Sequence, residues 1–82
     1  MRITVTQDDI DRGVRLNADQ CPVALAATRA FGCHMLLGYS GKLWPIYEDV
    51  PMPIECPPEV RAFAEAFDWG LPVEPFEFEV TQ

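Results

Sequence analysis

The sequence predicts a small α+β domain over residues 1–82, with a sheet of about four strands packed against two or three helices. Three observations predict it. Residues 2–6 and 73–80 alternate apolar and polar side chains, the period of a half-buried strand. Val60, Phe63, Ala64 and Phe67 recur at i, i+3, i+4 and i+7, one stripe of a helix. Two short apolar runs flank Ser40-Gly41, the pattern of a hairpin around a glycine turn. A chain of 82 residues suffices for one such domain and not for two.

Ile3 and Val5 share one face of the first strand, and Arg2, Thr4 and Thr6 the other. Thr6-Gln7-Asp8-Asp9 then reads as a near capping box, with Asp in place of the preferred Glu. Asp8 and Asp9 suit a first helical turn because the backbone dipole favours anions there. Gly13 stops that short helix, and residues 14–20 read as a polar loop. Cys21-Pro22 starts a second, alanine-rich helix, with proline at a position whose N–H has no intrahelical partner. Val23, Ala27, Ala30 and Phe31 are expected on its buried face, and Gly32 ends it.

Residues 33–39 and 42–47 are the expected hairpin strands, the second ending or becoming an edge at Pro45, which has no N–H to donate. Four prolines in residues 49–58 predict an extended, semi-rigid connector. Pro57-Pro58-Glu59 starts the last helix, which Gly70 and Pro72 end. In the closing strand Phe76, Phe78 and Val80 point inward and Glu77 and Glu79 outward. The two terminal strands are expected in the same sheet.

Composition narrows the function. Hydrophobic residues make up 49% of the chain, too many for a disordered acidic tail. No stretch approaches the length of a membrane span, and MRITVTQDDID carries no long apolar run after its arginine, so a cytoplasmic protein is expected. The net charge of -7 argues against direct contact with nucleic acid, whose phosphates require clustered Lys and Arg. That charge is uneven. Residues 1–47 hold 4 acids and 5 bases, a net +1; residues 48–82 hold 9 acids and Arg61 alone, a net -8.

Catalytic and metal chemistries fit poorly. Cys21, Cys33, His34 and Cys56 are legitimate zinc ligand types, but their spacing is not that of a zinc knuckle. Cys33 and His34 are adjacent, so on a strand they point to opposite faces, which also separates a thiol nucleophile from its base. Three cysteines, an odd number, do not make a disulfide framework. Asp8, Asp9 and Asp11 read as helix-cap and surface charge. No nucleophile elbow, Walker loop or dinucleotide fingerprint is present. The expectation is a protein without enzymatic activity, metal or cofactor. The remaining signal is the set Glu59, Glu65, Asp68, Glu74, Glu77 and Glu79, an anionic surface if the last helix and strand lie together.

Two blocks also resemble a group of small phage and prophage proteins. One is Ile3-Thr4-Val5-Thr6-Gln7 with Asp9-Ile10-Asp11 and Gly13, followed by Cys21-Pro22-Val23-Ala24-Leu25-Ala26. The other is Pro57-Pro58-Glu59-Val60-Arg61-Ala62-Phe63, Phe67-Asp68, Gly70 and Pro72-Val73-Glu74-Pro75-Phe76-Glu77-Phe78. The resemblance implies an accessory protein of a mobile element, acting in a bacterial cytoplasm. Anti-CRISPR proteins are an example of the type by size, charge and setting. The expectation is an inhibitor whose six carboxylates engage a basic surface of a host nucleic-acid-binding defence complex, such as a CRISPR effector. The alternatives are a phage accessory module acting by oligomerisation or phage-protein contact, and a small metal- or thiol-dependent protein.

Overall fold

Thr6 closes one element and opens the next. Its hydroxyl accepts the Asp9 amide at 3.1 Å while the Asp9 carboxylate accepts the Thr6 amide at 2.9 Å, so the expected capping box forms with Asp in the Glu position. The cap joins strand β1 (Arg2–Val5) to helix α1 (Gln7–Arg12). The computed structural model describes residues 1–38, 40–46 and 53–80. The elements that follow are α2 (Pro22–Phe31), β2 (Met35–Leu37), β3 (Leu43–Pro45), α3 (Pro58–Asp68) and β4 (Phe76–Glu79).

The α+β class and the three helices match the expectation, but the strands do not form one sheet of about four. They form two separate antiparallel pairs, β1 with β4 and β2 with β3. Helix α2 packs against both β1 and β2, so the two pairs share it as a support. The terminal strands do lie together, in the register Arg2 to Glu79, Ile3 to Phe78, Thr4 to Glu77 and Val5 to Phe76.

The expected hairpin forms over three residues a side, and Pro45 is the last of β3. Ile54 extends it by one bridge to Leu43. Tyr39 and Tyr47, the ends of the two expected strands, and residues 48–52, which include the start of the proline-rich connector, lie outside the described residues. The last strand is shorter than residues 73–80, because Pro72 and Pro75 supply no N–H for a ladder.

The core gathers Ile3 and Val5 of β1, Val23, Ala24 and Ala27 of α2, Met35 and Leu43 of the hairpin, Val60 of α3 and Phe78 of β4. Ala30, expected inside, is exposed, and Ala24 and Ala26 are buried. The buried face is broader than one stripe because α2 touches α1, α3 and both strand pairs. Gly13 allows the close fit of α1 against the start of α2, since a Cβ there would lie 2.7 Å from the Pro22 ring.

Asp9, expected as helix-cap and surface charge, does cap its helix but does not lie at the surface. It is almost fully buried, and Arg29 of α2 grips it with two hydrogen bonds of 2.8 Å each. The same guanidinium donates to the Thr4 carbonyl at 3.0 Å, so one side chain ties β1, α1 and α2. The hydrogen bonds from Arg29, with those from Thr6, hold the Asp9 carboxyl below its ordinary value of 3.8 despite the opposing effect of burial.

Arg29→Ala leaves a buried carboxylate without its cation and is expected to lower unfolding free energy by about 2–3 kcal/mol at pH 7, measured by urea denaturation. The folded-state pKa of Asp9 is depressed, so its contribution is present above 3.8 and is lost as pH falls through the lower folded value. Wild type therefore loses stability on acidification more steeply than the variant. A loss below about 0.5 kcal/mol contradicts a structural role for the pair.

Candidate functional site

The β1–β4 ribbon has a buried face of Ile3, Val5 and Phe78 and an exposed face of Arg2, Thr4, Glu77 and Glu79. The register sets Arg2 across from Glu79, and Arg2 Nε donates to Glu79 Oε1 at 2.9 Å. Arg2 also stands 3.8 Å from Glu77, whose second oxygen accepts the Thr4 hydroxyl at 3.3 Å. The α-amino group of Met1 lies 3.7 Å from Glu79. These pairs are solvent-exposed, so water and salt screen them and they add little to stability. Their main effect is to hold the two carboxylates in a fixed row along the strand.

Helix α3 brings a third carboxylate to that row. Val60 is buried, and the Phe63 ring packs on Phe76 with centroids 4.7 Å apart, which sets α3 beside β4. Its first turn then presents Glu59. Glu59, Glu77 and Glu79 line a shallow depression of about 320 Å³ with Arg2, Pro57 and Phe78. Glu59 makes no ion pair among the described residues.

The other three expected contact residues lie elsewhere. Glu65 accepts from Arg61 one turn earlier on α3 at 3.1 Å. Asp68 is used structurally: its side chain accepts the Leu16 amide at 3.0 Å, and its carbonyl accepts two bonds from Arg15, at 3.1 and 3.0 Å. Glu65 and Asp68 line a second, larger groove of about 390 Å³ whose floor includes Ala18, Cys21, Leu36, Leu37 and Ala64. Glu74 is exposed on the segment before β4 and makes no ion pair among the described residues. Of the six carboxylates, the fold gathers Glu59, Glu77 and Glu79 in one depression, puts Glu65 and Asp68 in the other, and leaves Glu74 outside both.

Beyond the α3 terminus lies an apolar feature. Leu71 donates back to Ala66 and Gly70 to Phe67, a Schellman closure that requires the positive φ of 75° found at Gly70. This closure turns Trp69 and Leu71 outward, at 78% and 58% exposure. Leu16, on the loop that Asp68 and Arg15 hold against the helix end, is 82% exposed and has a φ of 57°, a strained value for a bulky residue. The polar loop expected over residues 14–20 thus carries an exposed apolar side chain. The available signal was a lone leucine between Arg15 and Asn17.

The thiol and imidazole groups are not brought together. No group of three or more His, Cys, Asp or Glu side chains able to hold a metal occurs among the described residues. All three cysteines are free. Cys21 caps α2, its sulfur accepting the Ala24 amide at 3.5 Å. Cys33 and His34 precede β2 instead of lying on it; the Cys33 thiol contacts the Met35 sulfur at 3.7 Å, and His34 Nε2 stands 3.4 Å from Asp19. Burial pushes the Cys56 thiol up to about 11 and raises that of Cys21. No helix among the described residues is long and apolar enough to cross a membrane.

Compared with known proteins, the chain matches no family model, no curated protein and no solved structure.

Because only the thiolate reacts, alkylation of Cys21 and Cys56 by iodoacetamide at pH 7.5 is expected to be at least about tenfold slower in the folded protein than in urea. Mass spectrometry of timed samples reads this. A folded-state rate for either thiol above the rate in urea contradicts the inert reading and reopens thiol chemistry.

Proposed function

We propose that this protein is a non-enzymatic binding module that docks on a basic protein surface through its acidic C-terminal half. One observation carries the reading: Glu59 of α3 and Glu77 and Glu79 of β4 line one depression that contains a single guanidinium, that of Arg2. Carboxylates held in a row by strand geometry lose little freedom when they meet a partner, and a shared negative field raises the encounter rate with a cationic one. Glu65 and Glu74 extend the field, and Asp68 contributes charge while fixing the loop at Leu16. The setting comes from the resemblance to small phage and prophage proteins. There the target is the basic nucleic-acid channel of a host defence complex, a CRISPR effector being the leading candidate, and the site of action is the bacterial cytoplasm.

A second reading is supported by the outward Leu16, Trp69 and Leu71, since exposed apolar side chains of this size mark contact surfaces. It is an accessory module that associates through apolar contact with a second copy or with a phage protein. Light scattering separates the two: a monomer at micromolar concentration favours the acidic-surface reading, and a dimer lost in Trp69→Ala favours the apolar one.

Added in excess to purified CRISPR effector complexes, the protein is expected to reduce their binding of target nucleic acid. The combined variant Glu59→Lys, Glu65→Lys, Glu74→Lys is expected to lose at least about tenfold in potency while staying folded, because these carboxylates are exposed. Undiminished nucleic-acid binding in the presence of the wild-type protein, or undiminished inhibition by the variant, contradicts the proposal.

A further inference from the structure

Among the described residues, the backbone of β4 has an open edge. Met1 and Val80 exchange both hydrogen bonds, N to O, at 2.8 Å in each direction. In an antiparallel pair such bonded positions alternate with unbonded ones. Ile3 with Phe78 and Val5 with Phe76 are therefore bonded, while Arg2 with Glu79 and Thr4 with Glu77 turn their N–H and C=O groups away from the ladder. Thr4 confirms the alternation, since its carbonyl points off the ribbon and accepts from Arg29. On β4 the groups turned away are those of Glu77 and Glu79. Among the described residues nothing hydrogen-bonds to the N–H or C=O groups of either residue, and the ribbon has no third strand.

An open edge with paired, unused donors and acceptors is a template for another strand. The side chains along it decide which strand. A residue added opposite Glu77 or Glu79 lies on the same face as that carboxylate, roughly 5 Å away between Cβ atoms, with Glu59 across the same depression. The residue between them turns to the other face of the ribbon, the side on which Phe78 is buried in the core. A second copy is disfavoured: pairing β4 with its twofold mate sets Glu77 and Glu79 against carboxylates, and like charges in opposed positions repel.

We propose that β4 receives an extended segment of a partner protein as an added strand, the segment carrying Lys or Arg opposite Glu77 and Glu79 with an apolar residue between them. This rests on the acidic docking reading and gives it a binding mode. Backbone bonding supplies the register, and the carboxylates select a basic segment over a neutral or acidic one. Arg2 marks the outer boundary of the site because it occupies the β1 side of both carboxylates.

The test uses the intact protein and synthetic peptides. A Lys-Val-Lys-Val-Lys-Val-Lys peptide is titrated into the protein while backbone amide exchange is followed by NMR. Two controls accompany it, a Glu-Val-Glu-Val-Glu-Val-Glu peptide and the basic peptide N-methylated on alternate residues, prepared in both phases. The expected result is binding of the basic peptide alone, new protection at the Glu77 and Glu79 amides, and a loss of about tenfold or more in affinity on N-methylation in one phase. Binding that survives N-methylation in both phases, without protection at those amides, overturns strand addition but leaves the acidic docking reading standing. No binding of the basic peptide overturns both. Protection of the Glu77 and Glu79 amides in the free protein, with a dimer by light scattering, overturns the proposal by assigning the edge to a second copy.

Discussion

The fold depends on the pairing of Asp9 with Arg29. Asp9 is the third residue of a helix and at the same time the internal carboxylate on which β1, α1 and α2 converge. A carboxylate in that position is costly unless cation and hydrogen bonds both reach it. Here two bonds from Arg29 and one from the Thr6 amide do so. Because Arg29 also donates to the Thr4 carbonyl, the pair fixes the end of β1 relative to α2. Ile3 and Val5 can then face the alanine-rich helix, and β4 can register on β1. The orientation of the outward row, Arg2, Thr4, Glu77 and Glu79, follows from that same placement.

The negative charge of residues 48–82 is spent unevenly once the chain folds. Glu77 and Glu79 face Arg2, Glu65 faces Arg61 on its own helix, and Asp68 holds a loop. What distinguishes the β4 side is geometry more than charge count. There, a short row of carboxylates borders backbone groups that have no strand partner among the described residues, and α3 adds Glu59 without covering the edge. The groove on the other side of α3 is larger and more apolar, and the strained Leu16 turn stands at its rim.

Much of the local structure was legible in the sequence. The Thr6 cap, the Pro22 and Pro58 helix starts, the Ser40-Gly41 hairpin and the alternation ending in Phe78 and Val80 all carry short-range signals, and each acts within a few residues. The failures are long-range. Nothing local indicates that Asp9 and Arg29, 20 residues apart, will meet, so Asp9 reads as surface charge. Nothing local indicates that α2 will stand against two strand pairs, so four strands read as one sheet and Ala30 reads as buried. The six carboxylates share one acidic stretch of sequence, but only pairing register and helix packing decide that Glu59 joins Glu77 and Glu79 while Asp68 turns to Leu16.

The β1–β4 ribbon joins a two-stranded ladder to a β4 edge that has no strand partner among the described residues. Hydrogen exchange of the free protein, resolved by residue with NMR, reads both features at once. Slow exchange is expected at Ile3, Phe78 and Val80, whose amides lie in the ladder, and exchange near the rate of unstructured peptide at Glu77 and Glu79. Equal protection along the whole of β4 would contradict the open edge, and fast exchange at Ile3 and Phe78 would contradict the scaffold itself.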